Sequence, residues 1–197
     1  MPRVIFWSLS ALLAAAAAAQ ADEFVVTPGG ANKVVFVSKA TVESFQGRTN
    51  QITGSIRLDP ASLDDSVTVH VEVDLGSLDT GIAMRNRHMR ANHLETAKYP
   101  KAVFDGATVL GPASAKLDAG KPVTFDIEGL FSLHGVSRRL RTNVQVQLDA
   151  PGGKRQLHSE TSFPVALSDY AISRPRFLFL KLANEQAVKV TGVAIEE

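Results

Sequence analysis

The sequence predicts an all-β domain, either a sandwich or a barrel, with one short helical insertion. Three observations carry this. Apolar and polar residues alternate with a period of two over most of the chain, which is the signature of a half-buried strand. The alternating runs are short, evenly spaced and separated by Gly, Pro, Asp and Ser turns, giving roughly eight to ten strands. One segment, residues 82–98, breaks the pattern and contains no Val, Gly or Pro.

Taken in order, the chain opens on a leader. Arg3 is the only charge before Asp22, and Val4 to Ala19 is apolar apart from Ser8 and Ser10. Ala19-Gln20-Ala21 then supplies small residues where a signal peptidase reads them. A membrane-spanning helix needs about 20 apolar residues, and this run is shorter. Residues 1–21 are therefore expected to be a cleaved export signal, cut near Ala21, with the remainder, 22–197, forming one periplasmic domain. The chain has no Cys, which excludes disulfides, thiolate metal sites and attachment through a lipidated cysteine. Of 21 basic and 20 acidic residues only Arg3 leaves with the leader. The mature domain is then charge-balanced, which argues against nucleic acid or an anionic membrane as a bulk electrostatic partner.

The strands follow. Val34, Phe36 and Ser38 face one way, Val35 and Val37 the other. Ile52, Gly54, Ile56 and Leu58 alternate with polar neighbours up to the Asp59-Pro60 turn, and Asp64-Asp65 reads as a solvated turn. Val67, Val69, Val71 and Val73 form the cleanest run. Val123, Phe125, Ile127, Gly129, Phe131 and Leu133 share a face. So do Leu140, Thr142, Val144, Val146 and Leu148, ending at Pro151-Gly152-Gly153. Phe163 and Val165, then Phe177 to Leu180, then Val188 to Ile195 complete the set. Alternation says that one face of each strand is dry. It does not say whether that face packs solidly or lines a cavity.

Within residues 82–98, Met84, His88 and Ala91 fall on one helical face, and Arg87, Arg90 and Leu94 on another. The expectation is one or two short helices, capped by Asp79 or Thr80 and stopped by Tyr99-Pro100. The densest polar cluster is Arg85-Asn86-Arg87-His88-Met89-Arg90. It reads either as an anion clamp or as a solvated basic helix. A helical zinc pair puts its ligands at i and i+4, whereas His88 and His93 stand five apart, so no metal is expected. His70, His134 and His158 are scattered. No G-x-S-x-G or phosphate-loop motif occurs. Of the ten phenylalanines, Phe6 and Phe24 fall in the leader or at its edge, and the other eight in strand-like segments. They suit an ordinary core, or a cavity for a lipid-like ligand.

Three blocks in order carry a family resemblance. The first is Leu78-Asp79-Thr80-Gly81, then Arg85 to Arg90, then Lys98-Tyr99-Pro100. The second is Ile127 to Arg138, and the third is Ser168-Asp169-Tyr170 with the Val188 to Ile195 strand. In these blocks the chain resembles the YceI-like proteins, and Asn86 stands where that family usually has Asp. The resemblance implies a lipocalin-like antiparallel β-barrel of about eight strands with its helical insertion near 82–98. It also implies a long isoprenoid or similar amphiphile held inside, with no enzyme activity and no cofactor. Phe36, Phe45, Phe104, Phe125, Ile127, Phe131 and Phe163 are then the candidate cavity wall, and Arg85, His88 and Arg90 the candidate head-group contacts. Transient membrane contact and a homodimer are compatible with this reading. Two other readings stay open: an interaction module with a filled barrel that presents its arginine-rich helix, and a hydrolase or isomerase of a lipid-like substrate.

Overall fold

Alternation becomes antiparallel pairing throughout. The computed structural model describes residues 21–39, 44–63, 67–111, 116–174, 176–177 and 180–197. Residues 1–20, where the leader is expected, Asp64 and Asp65, where a turn is expected, and Phe179 lie outside the described residues. The strands are β1 (Asp22–Val26), β2 (Lys33–Lys39), β3 (Ser44–Thr49), β4 (Ile52–Leu58), β5 (Thr68–Asp74) and β6 (Lys101–Leu110). They continue with β7 (Val123–Leu133), β8 (Val136–Asp149), β9 (Gln156–Ala166), a two-residue pair β10 (Arg176–Phe177) and β11 (Leu180–Lys181), and β12 (Glu185–Glu196).

Eight of these close into a barrel, in the order β1-β4-β5-β6-β7-β8-β9-β12, with β12 pairing back to β1. That last pairing, Phe24 to Glu196 and Val26 to Ala194, decides between barrel and sandwich. Arg155 clamps the seam: its Nε donates to Glu196 at 2.8 Å and its Nη1 lies 2.8 Å from the Asp22 carboxylate. β12 is shared between two neighbours on one edge. Residues 194–196 pair with β1, while residues 186–191 pair with β2, which carries β3 on its far side.

Two strands break the sequence reading. Phe24, placed at the leader's edge, is 0% exposed and sits in the middle of the core, because β1 is the strand that closes the barrel. β6 shows no clean alternation because a bulge between Asp105 and Thr108 shifts its phase against β7. Gly106 takes φ +71 there, and a side chain on Gly129 opposite would strike the Gly106 carbonyl and the Phe104 ring.

The interior divides by height. At the end where β1 meets β12, Phe24, Ile52, Leu63, Leu157 and Ala194 form the centre of a closed cluster, each at most 2% exposed. Toward the other end, Leu75, Leu78, Leu133, Val165 and Ile172 form a second cluster, with Phe131, Phe163 and Phe36 packed against it. Over this end lies α1 (Ala83–His88), which runs directly into a π-helical turn, Met89–His93. The expected cap is absent: Ile82 occupies the N-cap position and makes no side-chain capping bond. Asp79 and Thr80 instead bind the Asn86 side chain, one turn into the helix. The helical run also ends earlier than Tyr99-Pro100, because Glu95 takes a left-handed conformation, φ +45.

Candidate functional site

Above the closed core the barrel encloses a cavity of about 730 Å³. Its floor is the register pair Val34 and Val190, where β2 and β12 meet. Phe36, Phe131, Phe163 and Val188 form the walls, with Leu75, Leu78 and Leu133 toward the top. Met89 and Leu94 of the helical segment roof it, and Ile82 and Met84, 52% and 61% exposed, stand at the mouth. The polar members of the lining are Ser38, Arg85, His88, His93 and Gln186.

The basic segment is fixed from beneath. Asn86 is buried, and its Oδ1 accepts from the Thr80 backbone N–H at 2.9 Å and the Thr80 hydroxyl at 2.7 Å. Its Nδ2 donates to Asp79 Oδ1 at 2.6 Å. The Gly81 backbone N–H, and after it the Asn86 amide, hold the Asp79 carboxyl below its ordinary range. Arg85 donates from Nε to the Thr80 hydroxyl and from Nη2 to the Thr80 carbonyl, at 2.8 and 2.7 Å, and its guanidinium lies 4.2 Å over the Phe45 ring. An acid at position 86 would face the Asp79 carboxylate.

A second anchor holds the far end of the segment. His134, in the two-residue turn between β7 and β8, has Nε2 2.7 Å from the Glu95 carboxylate and Nδ1 3.0 Å from the Tyr170 carbonyl. The Tyr99 ring packs against the His134 ring, with centroids 4.5 Å apart and the planes tilted by 60°. Burial raises the Tyr170 hydroxyl above its ordinary value, consistent with the ring's place under this anchor.

Of the candidate wall residues, Phe36, Phe45, Phe131 and Phe163 line the cavity. Phe104, Phe125 and Ile127 do not: Phe125 and Ile127 belong to the closed cluster and Phe104 packs against it. The reason is visible on β7, whose inward residues climb from Val123 at the closed end to Leu133 at the hollow end. Alternation assigns a face, not a height. Among the candidate head-group residues, Arg85 and His88 line the cavity, with His88 exposed at the mouth. Arg90 does not line it; its Nη2 donates to the Leu78 carbonyl at 3.0 Å, so it braces the segment. Sequence reasoning passed over Ser38, Gln186, Met89 and Leu94. For Ser38 the signal existed, since it shares the inward phase of Val34 and Phe36. Among the described residues no group of three or more His, Asp or Glu could hold a metal ion.

Comparison with known proteins agrees with this architecture. A UPF0312 protein of Vibrio cholerae is 28% identical over 170 residues, covering 83% of this chain and 85% of its own. Protein YceI of Escherichia coli O157:H7 is 33% identical over 107 residues, covering 53% of this chain and 51% of its own. Among solved structures, a polyisoprenoid binding domain from Saccharophagus degradans, implicated in plant cell wall breakdown, superposes with a TM-score of 0.69 at 20% identity, covering 90% of this chain and all of that one. BcnA of Burkholderia cenocepacia superposes at 0.66, also at 20% identity, covering 83% of this chain and 96% of that one. The model of the YceI-like domain matches residues 24–194, which is nearly every residue of the barrel, and the chain belongs to the YceI-like domain family.

Proposed function

We propose that the protein is an exported, periplasmic carrier that holds an amphiphile with an isoprenoid or fatty chain in the hollow half of the barrel. The observation that carries this is the cavity itself. Its volume of about 730 Å³ lies within the ~300–1,000 Å³ of small-molecule sites, and its lining is apolar with a few polar groups, as such sites are. Burial of a chain against Phe36, Phe131 and Phe163 would stabilise the complex by roughly 25 cal/mol for each Å² of apolar surface removed from water. A chain of this kind is insoluble outside a bilayer and needs a container in an aqueous compartment. The leader at residues 1–21 supports that placement, and the polyisoprenoid binding domain of similar fold supports the ligand class. The reading is one of binding, without a chemical step. Ile82 and Met84, exposed beside the mouth, are the natural surface for transient contact with a membrane while the ligand passes.

Native mass spectrometry of protein purified from its source tests the reading. The expected result is a co-purifying lipid, or uptake of added polyprenol or fatty chain at one per chain. A barrel that is empty on purification and takes up neither would overturn it.

A further inference from the structure

Inside the apolar cavity one polar group is left without a partner. Ser38 is 1% exposed, lines the cavity, and its hydroxyl makes no hydrogen bond. A buried hydroxyl in that state costs about 1–3 kcal/mol, so its presence needs a cause. The position is not isolated. Ser38 pairs in register with Gln186 of β12 on one side and with Phe45 of β3 on the other. Side chains directly opposite on antiparallel strands stand about 5 Å apart. Gln186 is also buried and lines the cavity. Its amide donates to the Ala183 carbonyl at 2.8 Å, and its Oε1 is an acceptor. One strip of wall thus carries an unpartnered hydroxyl and a carboxamide side by side. Arg85, above Phe45, has turned its Nε and Nη2 to Thr80.

We infer that Ser38 and Gln186 form an interior subsite for an uncharged oxygen of the ligand, a hydroxyl or a carbonyl, and so select a neutral amphiphile over a bare hydrocarbon. The inference rests on the carrier reading. A ligand hydroxyl satisfies both groups at once: it accepts from the Ser38 hydroxyl and donates to Gln186 Oε1. A ligand carbonyl satisfies Ser38 alone. Neither group carries a charge to offset the desolvation cost of an ionised head buried beside them.

The test compares dodecanol, dodecane and dodecanoate on the full chain and on Ser38→Ala, by titration calorimetry or displacement of a fluorescent probe. The wild type is expected to hold dodecanol about tenfold more tightly than dodecane, the scale of one hydrogen bond in a buried site. Ser38→Ala is expected to erase most of that difference and leave dodecane unchanged. The ligand-free variant should also melt at the same temperature as wild type or higher, since the substitution removes an unsatisfied buried group. Equal binding of dodecanol and dodecane by wild type, equal loss of both in Ser38→Ala, tightest binding of dodecanoate insensitive to Ser38→Ala, or a lower melting temperature of the free variant would each overturn the subsite while leaving the container in place. Failure of wild type to bind any of the three removes the container, and the subsite with it.

Discussion

Asn86 shows how one side chain can set the position of a whole segment. It is 9% exposed and bridges Thr80 and Asp79 with both ends of its amide, the oxygen accepting from Thr80 and the nitrogen donating to Asp79. An aspartate could keep the Thr80 bonds but would put a second carboxylate where the amide now donates to Asp79. We expect Asn86→Asp to lower stability by about 1–3 kcal/mol at neutral pH, the cost of a lost buried donor, with like-charge repulsion adding to it. The sign of the pH effect follows. Repulsion raises the folded pKa of the new acid pair, so protonation of one member is favoured by folding. The deficit should therefore shrink as pH falls through the carboxylate range, and thermal unfolding across that range checks it. From sequence, this position was legible only as a departure from a family pattern; the presence of Asp79 as its partner needed the fold.

At the scale of elements, the strands were legible where their alternation is unbroken. β2, β4, β5, β7, β8 and β12 each carry a run of alternating residues long enough to stand out. β1 is only five residues long, and the pairing that closes the barrel lies on β12, far along the chain. β6 was obscured by its bulge, because one extra residue reverses the faces of everything after it. The helical insertion was legible from composition, but its cap and its end depended on Asn86 and on the left-handed Glu95. The β7–β8 turn gives a test at this level. Gly135 has φ +77, and a side chain there would come within 2.6 Å of the Tyr99 ring. Gly135→Ala is expected to cost about 1–3 kcal/mol through backbone strain and displacement of the ring. Because Tyr99 and His134 anchor the roof of the cavity, faster ligand release should accompany the drop in melting temperature, and a dissociation-rate measurement would show it.

For the whole molecule, the sequence posed the choice between a solid and a hollow interior as one question. The fold answers it separately for each half. Phe125 belongs to the closed cluster and Phe163 to the cavity wall, although both sit at inward positions of their strands. Phe125→Ala is expected to lose about 3–5 kcal/mol, as large-to-small changes in packed cores do. Phe163→Ala should lose distinctly less, because its ring already borders open space, yet weaken ligand binding more than Phe125→Ala does. Chemical denaturation and ligand titration on the two variants separate the halves. Equal effects of the two substitutions on both measurements would contradict the division.

The forked pairing of β12 also bears on when the chain can fold. Its final residues close the barrel against β1, at the opposite end of the domain's sequence, and its earlier residues hold β2 and β3 in place. Until those last dozen residues are available, β1 has one sheet neighbour instead of two, and the β2–β3 hairpin has no sheet to join. Closure spanning most of the chain is slow, since the entropy of the intervening loop is lost before the contacts form. A polypeptide built this way cannot close its barrel until the β12 residues are free to pair with both β1 and β2.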